Sequence, residues 1–143
     1  MDNYFGCNLI IDTEECAPEI VTELTGVSHS KIVLKGTSFR TAIGELIHEK
    51  ANESNLWILE SGKIHEADNF YANEGISAVL SVLKQNSEAF QEALKRFPKR
   101  HMLVYSYYYE YNPYFILTKE LVSSLHEFGI DIEFDLYFLR DES

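Results

Sequence analysis

Residues 130–139 read IDIEFDLYFL, and an alternation this regular leaves the chain few choices. Successive side chains of a strand point to opposite faces. Ile130, Ile132, Phe134, Leu136 and Phe138 therefore share one face, expected to point inward, and Asp131, Glu133, Asp135 and Tyr137 share the other. Wound as a helix, the same residues would scatter both sets around the whole surface. The segment predicts a strand with one apolar face, and so a sheet with another layer packed on it.

The rest of the chain supplies both. Residues 4–12 alternate in the same way, with Phe5, Cys7, Leu9 and Ile11 on one side. Residues 31–35 (KIVLK) read as a short strand, 55–61 (NLWILES) as a compact one closed by Gly62, and 101–111 as a long aromatic one. Asn112-Pro113 marks a turn, and YFIL at 114–117 reads as a returning strand.

Helical spacing appears between these strands. Pro18 suits the first turn of a helix carrying Ile20, Val21, Leu24 and Val27, with Gly26 as its stop. A second helix is expected from Phe70 to Lys84, despite a Gly75 that costs about 1 kcal/mol relative to Ala. A third is capped by Ser87, carries Phe90, Ala93, Leu94 and Phe97, and ends at Pro98. Thr118 caps a fourth, with Leu121, Val122, Leu125 and Phe128 inward and Gly129 as the stop. Residues 36–53 read as a loop with a helical turn around Glu45–Glu49. The order predicts a two-layer α+β sandwich, with a largely antiparallel sheet and helices on one face (ferredoxin-like or related). With no low-complexity linker, the 143 residues are expected to form a single domain, 1–143.

Composition narrows the partners. The net charge is −11, and it is uneven: residues 1–30 hold six acids and no Lys or Arg, and residues 102–143 hold eight acids against two bases. A nucleic-acid partner needs a basic footprint. The best basic cluster, Lys95, Arg96, Lys99 and Arg100, is more simply explained as cations at the end of a helix. No nucleic acid and no membrane are expected as partners, since no run approaches a membrane span of about 20 apolar residues. The N-terminus shows no basic, apolar leader, so a cytoplasmic location is expected, with Cys7 and Cys16 as free thiols.

Chemistry is sparse. No phosphate-binding glycine loop, GxSxG elbow, HExxH or CxxC occurs, and no cofactor is expected. His29, His48, His65, His101 and His126 fall on separate elements with no ligand spacing, so no metal is expected. The best catalytic fragment is His65-Glu66-Ala67-Asp68, where a histidine and carboxylates could move a proton. Its plainer reading is a connection whose Asp68 or Asn69 caps the next helix. Cys7 and Trp57 read as core, and no base near Cys16 would lower its pKa.

The better signal is a surface. Tyr105, Tyr107, Tyr109 and Tyr111 share one face of their strand, and Asp131, Glu133, Asp135 and Tyr137 share one face of theirs. If both rows lie on one open sheet face, they form an acidic, aromatic platform suited to a basic protein partner. The plainer reading is that tyrosine favours strands and the acids keep one face soluble.

Several features together resemble a bacterial family, domain of unknown function 4279. They are the N-terminal strand leading into APEIVTELTGV (17–27), KIVLKG (31–36), NLWILES (55–61), a helical pair, and LVSSLHEFGIDIEFDLYF (121–138). Ser28-His29-Ser30 departs from the pattern, where a proline-bearing turn is expected. The resemblance implies an α+β fold and carries over no catalytic residue. By analogy it implies a place in toxin-immunity gene sets. Three functions stand in order: a non-catalytic binding protein for a basic partner, immunity-like in its most concrete form; a small-molecule-binding or regulatory domain with a pocket between the sheet and the 70–97 helices; and an enzyme built on converging histidines and carboxylates.

Overall fold

A computed structural model of the chain describes residues 3–40, 46–65, 73–109 and 115–139. Its elements are β1 (Tyr4–Glu14), α1 (Glu19–Thr25), β2 (Lys31–Val33), β3 (Ser38–Arg40), β4 (Leu46–Ala51), β5 (Asn55–Glu60), β6 (Ile64–His65), α2 (Asn73–Gln85), α3 (Ser87–Arg96), β7 (Arg100–Tyr108), α4 (Lys119–Glu127) and β8 (Asp131–Phe138). The fold is a two-layer α+β sandwich. Among the described residues the main sheet has six strands in the order β2-β5-β1-β7-β8, with β6 beside the start of β1. The segments expected at 5–11, 55–61, 101–111 and 130–138 all enter this sheet, as β1, β5, β7 and β8. Its described pairings are antiparallel except β7–β8, which is parallel because α4 forms the crossover between them.

The helices cover one face. There Cys7, Leu9 and Ile11 of β1, Trp57 of β5 and Met102 and Val104 of β7 meet Ile76, Leu80 and Leu83 of α2, Phe90 of α3 and Leu125 of α4. Trp57 is fully buried, its ring edge-on to Phe90 at 6.1 Å and its Nε1 donating to Thr22 Oγ1 at 3.0 Å. Gly75 now has a reason. A Cβ there would lie 3.2 Å from Cys7 Cβ and 3.3 Å from Ser61 Oγ, so the glycine lets α2 press onto β1. The basic cluster divides between bracing this layer and pairing at the surface. Arg100 donates to the carbonyls of Leu94, Pro98 and Phe128, bracing the ends of α3 and α4. Lys95 pairs with Glu92 at 3.0 Å and Lys99 with Glu14 at 2.9 Å.

Several local expectations are corrected. Residues 36–53 contain the β3–β4 hairpin rather than a loop with a helical turn; Glu45 lies outside the described residues. Asn52 clasps the open end of this hairpin: its side chain donates to Thr37 O and Thr37 Oγ1, both at 3.0 Å. Residues 115–118 are not a strand, and 110–114, with the Asn112-Pro113 turn, lie outside the described residues. Phe115 instead packs edge-on against Phe134, 5.4 Å between ring centres. Thr118 caps α4 as expected, accepting from Leu121 N at 3.2 Å. Ser87 is the first residue of α3 rather than its cap; Asn86 takes that place and sends its side chain back to Val82 O.

The largest correction concerns β8. Ile130 is buried and Ile132 partly so, yet Phe134, Leu136 and Phe138 are 43%, 47% and 53% exposed. They do lie on the helix side, in register with Val104, Ser106 and Tyr108. But α2 packs against β1 and β7, and among the described residues the helical layer leaves these three side chains of β8 exposed.

Candidate functional site

The face away from the helices is built by the other half of each alternation. β7 and β8 run in parallel register, with Leu103 beside Glu133, Tyr105 beside Asp135 and Tyr107 beside Tyr137. The tyrosine and carboxylate rows thus lie side by side on one face. β1 adds Tyr4 opposite Tyr107 and Gly6 opposite Tyr105.

The rings form a stack across three strands. Tyr107 lies between Tyr4, at 4.8 Å and 13° between planes, and Tyr137, at 4.6 Å and 8°. Such cross-strand aromatic pairs pin register and hold the strands together. Tyr105 sits edge-on to Tyr107 and lays its phenol over Gly6, where any Cβ would collide with it. Lys63 Nζ stands 4.9 Å from the centre of the Tyr4 ring, within cation–π range. At the far end Tyr137 donates its hydroxyl to Asp135 Oδ2 at 2.6 Å.

This packing changes what the tyrosines offer. Tyr105 is 7% exposed and Tyr107 2%, so neither presents free contact area. Tyr109 and Tyr137 are half-buried, and Tyr111 lies outside the described residues. Burial pushes the phenol of Tyr105 above its usual pKa, helped by the Glu60 carboxylate; burial and then Tyr109 do the same for Tyr4. Both stay protonated at neutral pH and serve as packing groups. Asp131 and Glu133 are exposed, and Asp135 is half-buried. Glu133 lies 3.4 Å from His101 Nε2.

Beside the stack the face is concave. A groove of about 1160 Å³ has an apolar floor of Ile10, Leu56, Ile58 and Leu103. The carboxylates of β8 form one flank, and Leu34, Thr37 and Asn52 near the hairpin form the other. Among the described residues the space between the sheet and the 70–97 helices, where a pocket was expected, is filled by core, and this groove lies on the opposite face. Tyr4, Gly6 and the groove floor were not singled out from the sequence, although signals for them exist. A glycine inside a strand marks close approach, and LWIL at 56–59 is apolar at both parities, as a strand covered on both faces would be.

The other candidates separate. His65 ends β6 and tilts against Tyr4, 5.9 Å between ring centres, while Glu66, Ala67 and Asp68 lie outside the described residues. Cys7 is buried beneath α2, and burial pushes its thiol up to about 12. Cys16 is exposed, and both thiols are free. Among the described residues no group of three or more His, Cys, Asp or Glu side chains could hold a metal ion. No helix among them is long and apolar enough to cross a membrane.

One family model, described as Domain of unknown function (DUF4279), matches residues 2–139. The chain belongs to that family. Comparison with curated proteins and with solved structures gave no match. Family membership covers all of the main sheet and the helical layer, and assigns no activity to either.

Proposed function

We propose that this member of the DUF4279 family is a non-catalytic binding protein whose open sheet face holds a basic protein partner. One observation carries the reading: β7 and β8 in parallel register put Asp131, Glu133 and Asp135 beside the Tyr4–Tyr107–Tyr137 stack, on the face the helices leave open. The stack makes that face stiff. The carboxylates give it charge, and the groove floor gives it apolar area. A row of like charges on one strand raises the free energy of the isolated chain, and a cationic partner relieves it. The other cations lining the groove are already engaged: Lys99 with Glu14, Lys31 with Glu60 at 3.6 Å, and Arg100 with backbone carbonyls. Asp131 has no ion pair among the described residues.

The most concrete form of this function is immunity-like: a bacterial, cytoplasmic protein that blocks a basic toxin by covering it, with no chemistry of its own. Affinity capture from the native cell tests it, with the chain and its Asp131→Asn, Glu133→Gln, Asp135→Asn variant as parallel baits. A basic protein held by the first and eluted at much lower salt from the second is the expected result. Equal elution from both baits counts against the reading. The groove's volume and apolar floor favour a second function, binding of a small molecule. Native mass spectrometry of the purified chain would show a retained ligand.

A further inference from the structure

Among the described residues the main sheet ends at β8. Within them β8 pairs with β7 alone, so its outer edge faces no described strand. A bare edge is a template for another strand, and natural proteins blunt it with short length, proline, bulges or charged side chains. Of these β8 carries only the charges, Asp131, Glu133 and Asp135. It runs eight residues from Asp131 to Phe138, contains no proline, and keeps an unshifted register with β7. Its charges all lie on the open face. On the helix side Phe134, Leu136 and Phe138 are each more than two-fifths exposed, with Ile116 and Leu117 also exposed.

We propose that β8 takes up an extended segment of a partner chain as an added strand, and that this segment alternates basic and apolar residues. The inference rests on the reading of the open face as a site for a basic partner, and it specifies that partner's conformation and pattern. A second copy of this chain is the wrong occupant. Antiparallel self-pairing would set two rows of carboxylates on one face, about 5 Å apart, and parallel self-pairing would turn the second copy over and set its carboxylates beside Phe134, Leu136 and Phe138, in both cases between chains that each carry −11. Like charges directly opposite one another destabilise a sheet. A basic-apolar segment reverses both terms. Its cations meet Asp131, Glu133 and Asp135, and its apolar residues meet Phe134, Leu136 and Phe138. Backbone hydrogen bonds supply attraction independent of sequence, as in other strand additions. At about 3.3 Å per residue, β8 accommodates a segment of about six to eight residues.

Two synthetic peptides of equal composition test this against the full chain. One alternates Lys and Val; the other carries the same residues as a Lys block followed by a Val block. Affinity at low salt and hydrogen exchange of the β8 amides are measured for both. The alternating peptide is expected to bind at least about tenfold more tightly and to slow exchange at every second β8 amide. Equal binding by the two peptides, or binding that leaves β8 exchange unchanged, overturns strand addition while leaving the acidic face as an attractor of basic chains. Failure of both peptides to bind at low salt overturns the face as well.

Discussion

β7 and β8 are neighbours in register, and both alternate, yet their helix-side residues meet opposite fates. Met102, Val104 and Ser106 of β7 are fully buried; Phe134 and Leu136, beside Val104 and Ser106, are nearly half exposed. The alternation decides which face a side chain takes. Burial on that face is decided by whether another layer reaches it, and α2 reaches β1 and β7. A sequence pattern reports the first and is silent on the second.

Truncating one residue on each strand should separate the two fates most sharply. Met102→Ala should cost about 2–5 kcal/mol, because it leaves a cavity in packed core. Phe134→Ala, which the alternation alone would rank at least as severe, should cost only about 1 kcal/mol, chiefly its edge-on contact with Phe115. Denaturant unfolding measures both, and equal losses would mean that the edge is as well covered as the centre.

The central strand should also make stability depend on pH. Cys7 holds its proton up to about 12, against an ordinary value of 9.0. Below about pH 9 the thiol is protonated in both folded and unfolded chains and contributes no pH dependence. Above it the unfolded chain releases the proton while the folded chain keeps it, so stability falls as pH rises from 9 toward 12. Tyr4 and Tyr105, also raised, act in the same direction at higher pH. Thermal unfolding across that range checks the sign. At neutral pH a maleimide should label the exposed Cys16 quickly and Cys7 only as the chain unfolds.

The sequence showed the fold more fully than the site. β1 and β8 were legible because each carries a run with period two, β5 as a compact apolar run closed by Gly62, β7 as a long aromatic run, and α4 because Thr118 and Gly129 bracket an apolar stripe. The β3–β4 hairpin was not, since Leu46 and Ile47 are adjacent and residues 46–51 show no clear period. The pairing of β7 with β8 depends on the α4 crossover, which no local pattern encodes. Without it the two rows could be described strand by strand and not placed together. The inward stacking of Tyr105 and Tyr107 depends further on Gly6 and Tyr4, about 100 residues away in the chain.

Charge offers the gentlest perturbation of the fold. Replacing Asp131, Glu133 and Asp135 with Asn, Gln and Asn should change stability by no more than about 0.5 kcal/mol, as surface substitutions generally do. Removing the hydrogen bond from Tyr137 to Asp135 is offset by relief of repulsion along β8. Denaturant unfolding of this variant beside Met102→Ala separates a surface role from a structural one.

That same variant gives the most direct test of the open face. The association rate of the captured basic partner should be measured for the parent chain and the variant over a range of ionic strength. Exposed charges act over about 8 Å at physiological salt and set encounter more than residence. The parent should associate faster at low salt, with a steep decline as salt rises; the variant should associate more slowly, with a flatter dependence. Identical rates and identical salt slopes for the two chains would contradict the assignment of this face as the binding surface.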